Sequence, residues 1–144
     1  MKEKDTTFEQ QQEISIPIFG YDLIREDVLT EILGQDRPEI MYWAGKRLAR
    51  KYPLFTLEEI YKFFRDAGWG NLQLTKDGRR TMAFSLAGDV IQHRLQTRTG
   101  SSFRLEAGFL AEQIQQQKKV LAECSEEIDK KKSTIHFLIK WENI

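Results

Sequence analysis

Apolar residues recur along this chain at two periods, and the place where one gives way to the other organises it. Ile14, Ile16 and Ile18 first alternate with Glu13, Ser15 and Pro17. Alternation gives an extended segment one apolar side, and Pro17, which has no N–H, restricts it to an edge strand or an arm lying on the body. From Tyr21 the spacing becomes three and four. Tyr21, Ile24, Val28 and Ile32, with Leu29 and Leu33 beside them, predict a helix stopped by Gly34. Pro38 opens a second helix at a position where its missing donor costs nothing. Its buried stripe is Met41, Ala44, Gly45, Leu48 and Tyr52, while Lys46, Arg47 and Arg50 face away. A third begins with Thr56 and Glu59 spaced as a capping box, in which each side chain satisfies the other's backbone N–H. Leu57, Ile60, Tyr61 and Phe64 form its inner face and Gly68 ends it.

The period then switches to two. Leu72 and Leu74 form one alternating run and Met82, Phe84 and Leu86 another. Between them Asp77-Gly78 suits the two positive-φ centres of a type I′ turn, so the pair reads as a hairpin. Residues 88–96 fit a short helix without demanding one, and residues 97–102 read as a loop. A fourth long helix is expected over residues 103–121, with Ala107, Leu110, Ala111, Ile114 and Leu121 on one side. Residues 122–129 admit two readings. Ile114, Leu121 and Ile128 are seven apart, which would continue the helix; Cys124, Glu126 and Ile128 alternate, which would make a strand. The final segment places Ile135, Phe137, Ile139 and Trp141 on one side of a strand and His136, Leu138 and Lys140 on the other. That strand needs a neighbour, and this demand favours the strand reading of residues 122–129. The expected fold is therefore α+β, with about four main helices packed on an antiparallel sheet of about four strands. Residues 13–144 are expected to form one domain behind a mobile polar tail, residues 1–12.

Composition narrows the function more than it defines it. Lysine plus arginine number 22 and aspartate plus glutamate also 22. The chain thus has no global field to draw it to nucleic acid, and its basic runs (Arg79-Arg80, Lys118-Lys119, Lys130 to Lys132) have acidic neighbours. Cys124 is the single cysteine, which removes an intrachain disulfide and a thiolate zinc cluster. The first thirteen residues lack a signal-peptide core and no apolar run is long enough to cross a bilayer, so the cytoplasm is the expected compartment.

The search for chemistry finds little. Only His93 and His136 could act as bases; His136 shares its strand side with polar residues and His93 sits among Gln92, Arg94 and Arg98, so exposure is expected for both. They have no matching carboxylate spacing for a metal site. Gly68-Trp69-Gly70 precedes a strand rather than a helix, unlike a phosphate-binding loop. Glu106, Glu112, Glu126 and Glu127 fit helix-surface or turn charges better than an acid/base pair. Cys124 stands beside Glu123, Glu126 and Glu127, whose charges should raise its pKa and blunt it as a nucleophile. No catalytic residue, cofactor or metal ligand is assigned, and the chain is expected not to be an enzyme. Ala44 and Gly45 leave a flat spot on the second helix, where another helix or a flat ligand could approach closely.

Several strings carry a resemblance: Tyr21-Asp-Leu-Ile-Arg-Glu, Gly34-Gln-Asp, Met41-Tyr-Trp-Ala-Gly-Lys, Ala67-Gly-Trp-Gly and Leu105-Glu-Ala-Gly-Phe-Leu-Ala-Glu-Gln-Ile-Gln. Together, over about residues 18–141, they resemble the YslB-like proteins of Gram-positive bacteria, a family without a function to carry over. Its fold is similar to the ligand-binding domain of vinyl-reductase-type proteins, TRAPP transport subunits and haem nitric-oxide sensors. In the vinyl-reductase relatives a Gly-x-Gly-like turn follows the third helix and an aromatic-Gly-Phe-Leu string opens the fourth, as Gly68-Trp69-Gly70 and Gly108-Phe109-Leu110 do here. The resemblance implies helices on an antiparallel sheet, sometimes around an apolar pocket, and supports a strand at residues 122–129. The cysteine- and glycine-rich C-terminal string of those relatives is absent, and so is the Tyr-x-Ser-x-Arg clamp of the haem sensors; haem is not implied. Two readings follow. One is an interaction module, a homodimer through Tyr42, Trp43 and Leu29 on the first two helices, open to a further protein partner. The alternative is a carrier or sensor of a small apolar ligand walled by Trp69, Phe84, Phe109 and Phe137.

Overall fold

A computed structural model describes residues 14–98 and 100–142; the tail expected over residues 1–12 lies outside them. The chain divides into two compact units, Met1–Gly34 and Gln35–Ile144.

In the first unit residues 14–17 carry no regular structure, so of the two readings of the Ile14–Ile18 alternation, an edge strand or an arm, the strand does not form. Pro17 instead takes the extended backbone of an N-cap, φ −61° and ψ 140°, and its carbonyl accepts from the Gly20 N–H at 3.0 Å. Helix α1 follows over residues 18–33: α-helical at Ile18–Asp22, π-helical at Leu23–Val28 and α-helical again at Leu29–Leu33. A π-turn closes its hydrogen bonds one residue later than an α-turn and shifts the phase of the side chains. Residues four and five apart then line up. Phe19, Leu23, Val28 and Ile32 form such a row beside Ile24, and all five are exposed, Ile24 by 64% and Ile32 by 70%. Three of the apolar residues whose spacing predicted this helix, Ile24, Val28 and Ile32, therefore face solvent.

The second unit runs α2 (Arg37–Lys51), α3 (Leu57–Asp66), β1 (Asn71–Asp77), β2 (Thr81–Ala87), α4 (Asp89–Thr97), α5 (Arg104–Lys118), β3 (Leu121–Asp129) and β4 (Thr134–Glu142). The four strands form one antiparallel sheet in the order β1-β2-β4-β3. Residues 122–129 are strand, paired with β4 so that Cys124 faces Ile139, which settles the open alternative in favour of the pairing argument. Leu121 consequently leaves the helix it was expected to line and begins β3, where it is exposed. Lys119, at φ 57°, closes α5 in the left-handed conformation that ends helices. Residues 88–96, which fitted a short helix, hold α4 from Asp89, with Gly88 as its N-cap and Thr97 of the expected loop as its last residue.

Local chemistry explains the ends of α3. Thr56 Oγ1 accepts from the Glu59 N–H at 3.1 Å, but the Glu59 carboxylate reaches one residue further back, to the Phe55 N–H at 2.7 Å. The box is therefore half of the expected pair. At the other end Gly68, at φ 74°, lets its own N–H bond Arg65 and the Trp69 N–H bond Phe64, the paired closure of a Schellman turn. This turn carries the Trp69 ring into the core. The β1–β2 hairpin is present with a different turn. Asp77 pairs with Met82, and the Gly78 N–H donates to Thr81 O at 2.8 Å. The two central residues are thus Arg79 and Arg80, and neither they nor Gly78 has positive φ, so Asp77-Gly78 is not a type I′ centre.

The sheet's inner face is Leu72, Met82, Phe84, Leu86, Ala122, Cys124, Ile135, Phe137, Ile139 and Trp141, all buried. α5 packs on it and against α2. Every residue from Glu106 to Ile114 is buried, so over this stretch α5 is enclosed all round rather than amphipathic. Both edge strands meet a tyrosine. Tyr61 OH accepts from the Leu74 N–H of β1 at 3.1 Å, and Tyr42 OH from the Cys124 N–H of β3 at 2.9 Å.

Candidate functional site

The geometry of α2 decides what each of its sides can do. Met41, Gly45 and Ala49 are its buried line, four apart, while Ala44 and Leu48 are half-buried and Tyr52 is exposed, a rotation from the expected stripe. Glycine at the contact explains it. A Cβ on Gly45 would lie 2.2 Å from the Leu105 carbonyl oxygen, and one on Gly108 would lie 2.0 Å from that of Tyr42. The backbones of α2 and α5 touch here as only glycine allows. The flat spot expected at Ala44-Gly45 is thus closed by α5 on the Gly45 side.

Tyr42, beside this contact, is held from several directions. Its hydroxyl donates to Glu123 and accepts from Cys124 N, and its ring lies 4.8 Å from Lys46 Nζ and 4.2 Å from the Arg104 guanidinium. Lys46, expected to face away, bonds Glu123 at 3.3 Å, and Arg104 pairs with Glu126 at 2.7 Å. Burial first, and the Glu123 hydrogen bond second, push the Tyr42 phenol up. Burial likewise pushes the Cys124 thiol up, followed by the Glu126 charge, with Arg104 opposing. Both groups stay protonated, so this cluster ties α2 to β3 and offers no nucleophile.

Two carboxylates expected on helix surfaces are interior. Glu106 is fully buried beside Arg94, 3.5 Å from its Nη1, and Arg94 also donates to Ser102 O at 2.7 Å and covers the Phe103 ring at 4.1 Å. Glu112 is buried and takes Arg50 Nε at 3.1 Å. A charge leaves water only with a partner of this kind. Sequence reasoning missed both; the one available signal was that Glu106 and Glu112, with Gln113, are the only polar residues in an otherwise apolar segment, residues 106–114. His93 is half-buried on α4 rather than exposed. The His136 side chain is 48% exposed, with Thr134 Oγ1 at 3.3 Å and Asp129 at 3.7 Å. Among the described residues no three His, Cys, Asp or Glu side chains gather as metal ligands.

The four residues named as apolar walls are all in the core. Phe84 faces Phe137 across β2 and β4. Phe109 stacks on Phe63 at 4.5 Å between ring centres and meets Trp69 edge-on at 5.3 Å, with Phe64 against both. Of the three residues named for a dimer surface, Leu29 lies half-buried on α1, Tyr42 is engaged with β3, and Trp43 is 56% exposed on α2. The Arg47 guanidinium stands 5.3 Å from the Trp43 ring. Trp43, Ala44, Arg47, Leu48, Arg50 and Lys51 line an open concavity on this side of the helix.

Helices layered on an antiparallel sheet, with an aromatic cluster between them, place the molecule in the α+β class. A vinyl-4-reductase family protein from Methanocaldococcus jannaschii superposes with a TM-score of 0.63 at 18% identity, over 92% of this chain and 85% of that one. That likeness is one of fold. An Fe(II) unliganded H-NOX protein from K. algicida overlaps more loosely, at a TM-score of 0.39 and 12% identity over 83% of this chain and 60% of that one. Residues 18–140 match the family described as protein of unknown function (DUF2507), and the chain belongs to that family. The uncharacterized protein YslB of Bacillus subtilis (strain 168) is 42% identical over 143 residues, 99% of this chain and 97% of its own length. Among the described residues no helix is long and apolar enough to cross a membrane.

Proposed function

We propose that this chain is a non-catalytic interaction module of the cytoplasm that works as a homodimer joined through its first two helices. One observation carries the reading: large apolar side chains are turned outward on these helices, Phe19, Ile24, Val28 and Ile32 on α1 and Trp43 on α2. A contiguous apolar row on a helix side marks a surface that another molecule covers, and an exposed tryptophan is a frequent anchor of such contacts. A non-catalytic role is supported by the state of the reactive groups. The Tyr42 phenol and the Cys124 thiol are both held protonated, and Glu106 and Glu112 are each committed to an arginine. A sequence with a single cysteine, and so no disulfide framework, suits the cytoplasm. The rival reading, a carrier of a small apolar molecule, asks for space among Trp69, Phe84, Phe109 and Phe137. The ring-on-ring contacts of Phe109 favour packing there instead.

Sedimentation equilibrium of the full chain tests the proposal. It expects twice the chain mass; the chain mass alone at high concentration would defeat it. Native mass spectrometry of freshly purified protein adds the second arm, since a co-purified lipid would favour the carrier.

A further inference from the structure

We infer that two copies dock antiparallel along the outward side of α2, about a two-fold axis passing between Trp43 and Ala44. The inference rests on the homodimer reading and specifies its seat. Asp36, at the N-cap of α2, begins a line of exposed residues that continues through Ile40, Trp43, Arg47 and Lys51. Steps of four and three keep this line on one side of the helix, opposite Met41, Gly45 and Ala49, and they match the spacing of a helix–helix seam.

Charge selects the direction. The acidic residues Asp36 and Glu39 lie at the N-terminal end of α2, and the basic residues Arg47, Arg50 and Lys51 at the C-terminal end. A parallel pair would set like charges side by side, whereas an antiparallel pair sets each acidic end against a basic one and opposes the two helix dipoles. Register follows from side-chain size. With the axis between residues 43 and 44, each Trp43 meets the second copy's Ala44, Ile40 meets its Arg47 and Asp36 meets its Lys51. Ala44 is the smallest side chain lining the concavity, so the indole enters where the wall is lowest. Such a contact is self-complementary, each half repeating the other, as a closed dimer requires. Because Gly45 fixes α2 against α5, the seat is rigid before docking, which limits the entropy lost on association.

Sedimentation equilibrium of full-length variants tests the seat separately from the dimer. One protein carries Asp36→Lys and Glu39→Lys, and another Arg47→Glu and Lys51→Glu. Each alone is expected to fall to the chain mass through like-charge repulsion, and an equimolar mixture to return to twice that mass. Recovery on mixing cannot come from unfolded chains, and circular dichroism of each variant checks its helices. If a double variant loses them, Asp36→Lys and Lys51→Glu alone carry the same test. Variants that remain dimeric, or a mixture that stays at the chain mass, would overturn the seat and leave the homodimer standing. A wild-type chain that never exceeds its own mass would remove both.

Discussion

Helices α5 and α1 invert one another. Over residues 106–114 α5 is enclosed on every side and carries charge inside, with Glu106 and Glu112 each against an arginine. α1 carries Phe19, Leu23, Ile24, Val28 and Ile32 outside. The difference separates the two uses of an apolar pattern. On α5 it fills the interior so fully that polar side chains must be paired within it, whereas α1 carries large apolar side chains on its exposed side. That side is available to another molecule.

Breaking the α5 side should cost most. Glu106→Ala strips the buried Arg94 of its carboxylate and is expected to destabilise by about 3–5 kcal/mol in urea unfolding. Pairing Glu106→Leu with Arg94→Met should recover much of that loss, because the penalty belongs to the orphaned charge. Gly108→Ala pushes a methyl into the Tyr42 carbonyl and should cost about 1–3 kcal/mol or more, a lowered urea midpoint at unchanged slope. Tyr42→Phe leaves the Cys124 N–H unsatisfied for about 1–2 kcal/mol, read the same way. On α1 the effect should vanish from stability and appear in association. Ile24→Asp with Val28→Asp is expected to shift unfolding by within about 0.5 kcal/mol per site while the sedimentation mass drops by half. A large loss of stability there would erase the contrast between the helices.

Periodicity made most of the second unit legible. The alternation of Ile135, Phe137, Ile139 and Trp141 is the buried side of β4, and the need of that strand for a neighbour correctly made residues 122–129 a strand. Where reading failed, the deciding physics was not periodic. The π-turn in α1 shifts phase through backbone geometry that side-chain spacing does not encode. The hairpin turn at Arg79-Arg80 was hidden by the stronger local preference of Asp77-Gly78. The partner of Glu106 could not be read from the sequence, because Arg94 lies twelve residues away on another helix. At the candidate surface, Trp43 was legible as an aromatic on a polar helix side. Tyr42, its neighbour, was not separable from it until the fold brought Glu123 and Cys124 within reach.

The two tyrosine hydroxyls at the sheet's margins have a wider consequence. A terminal strand with open amide groups is a template on which further chains can polymerise into fibrils. Tyr61 and Tyr42 each occupy one of those amides, on β1 and on β3. Strand addition is obstructed at these points on both margins, which makes this sheet a poor seed for fibril growth.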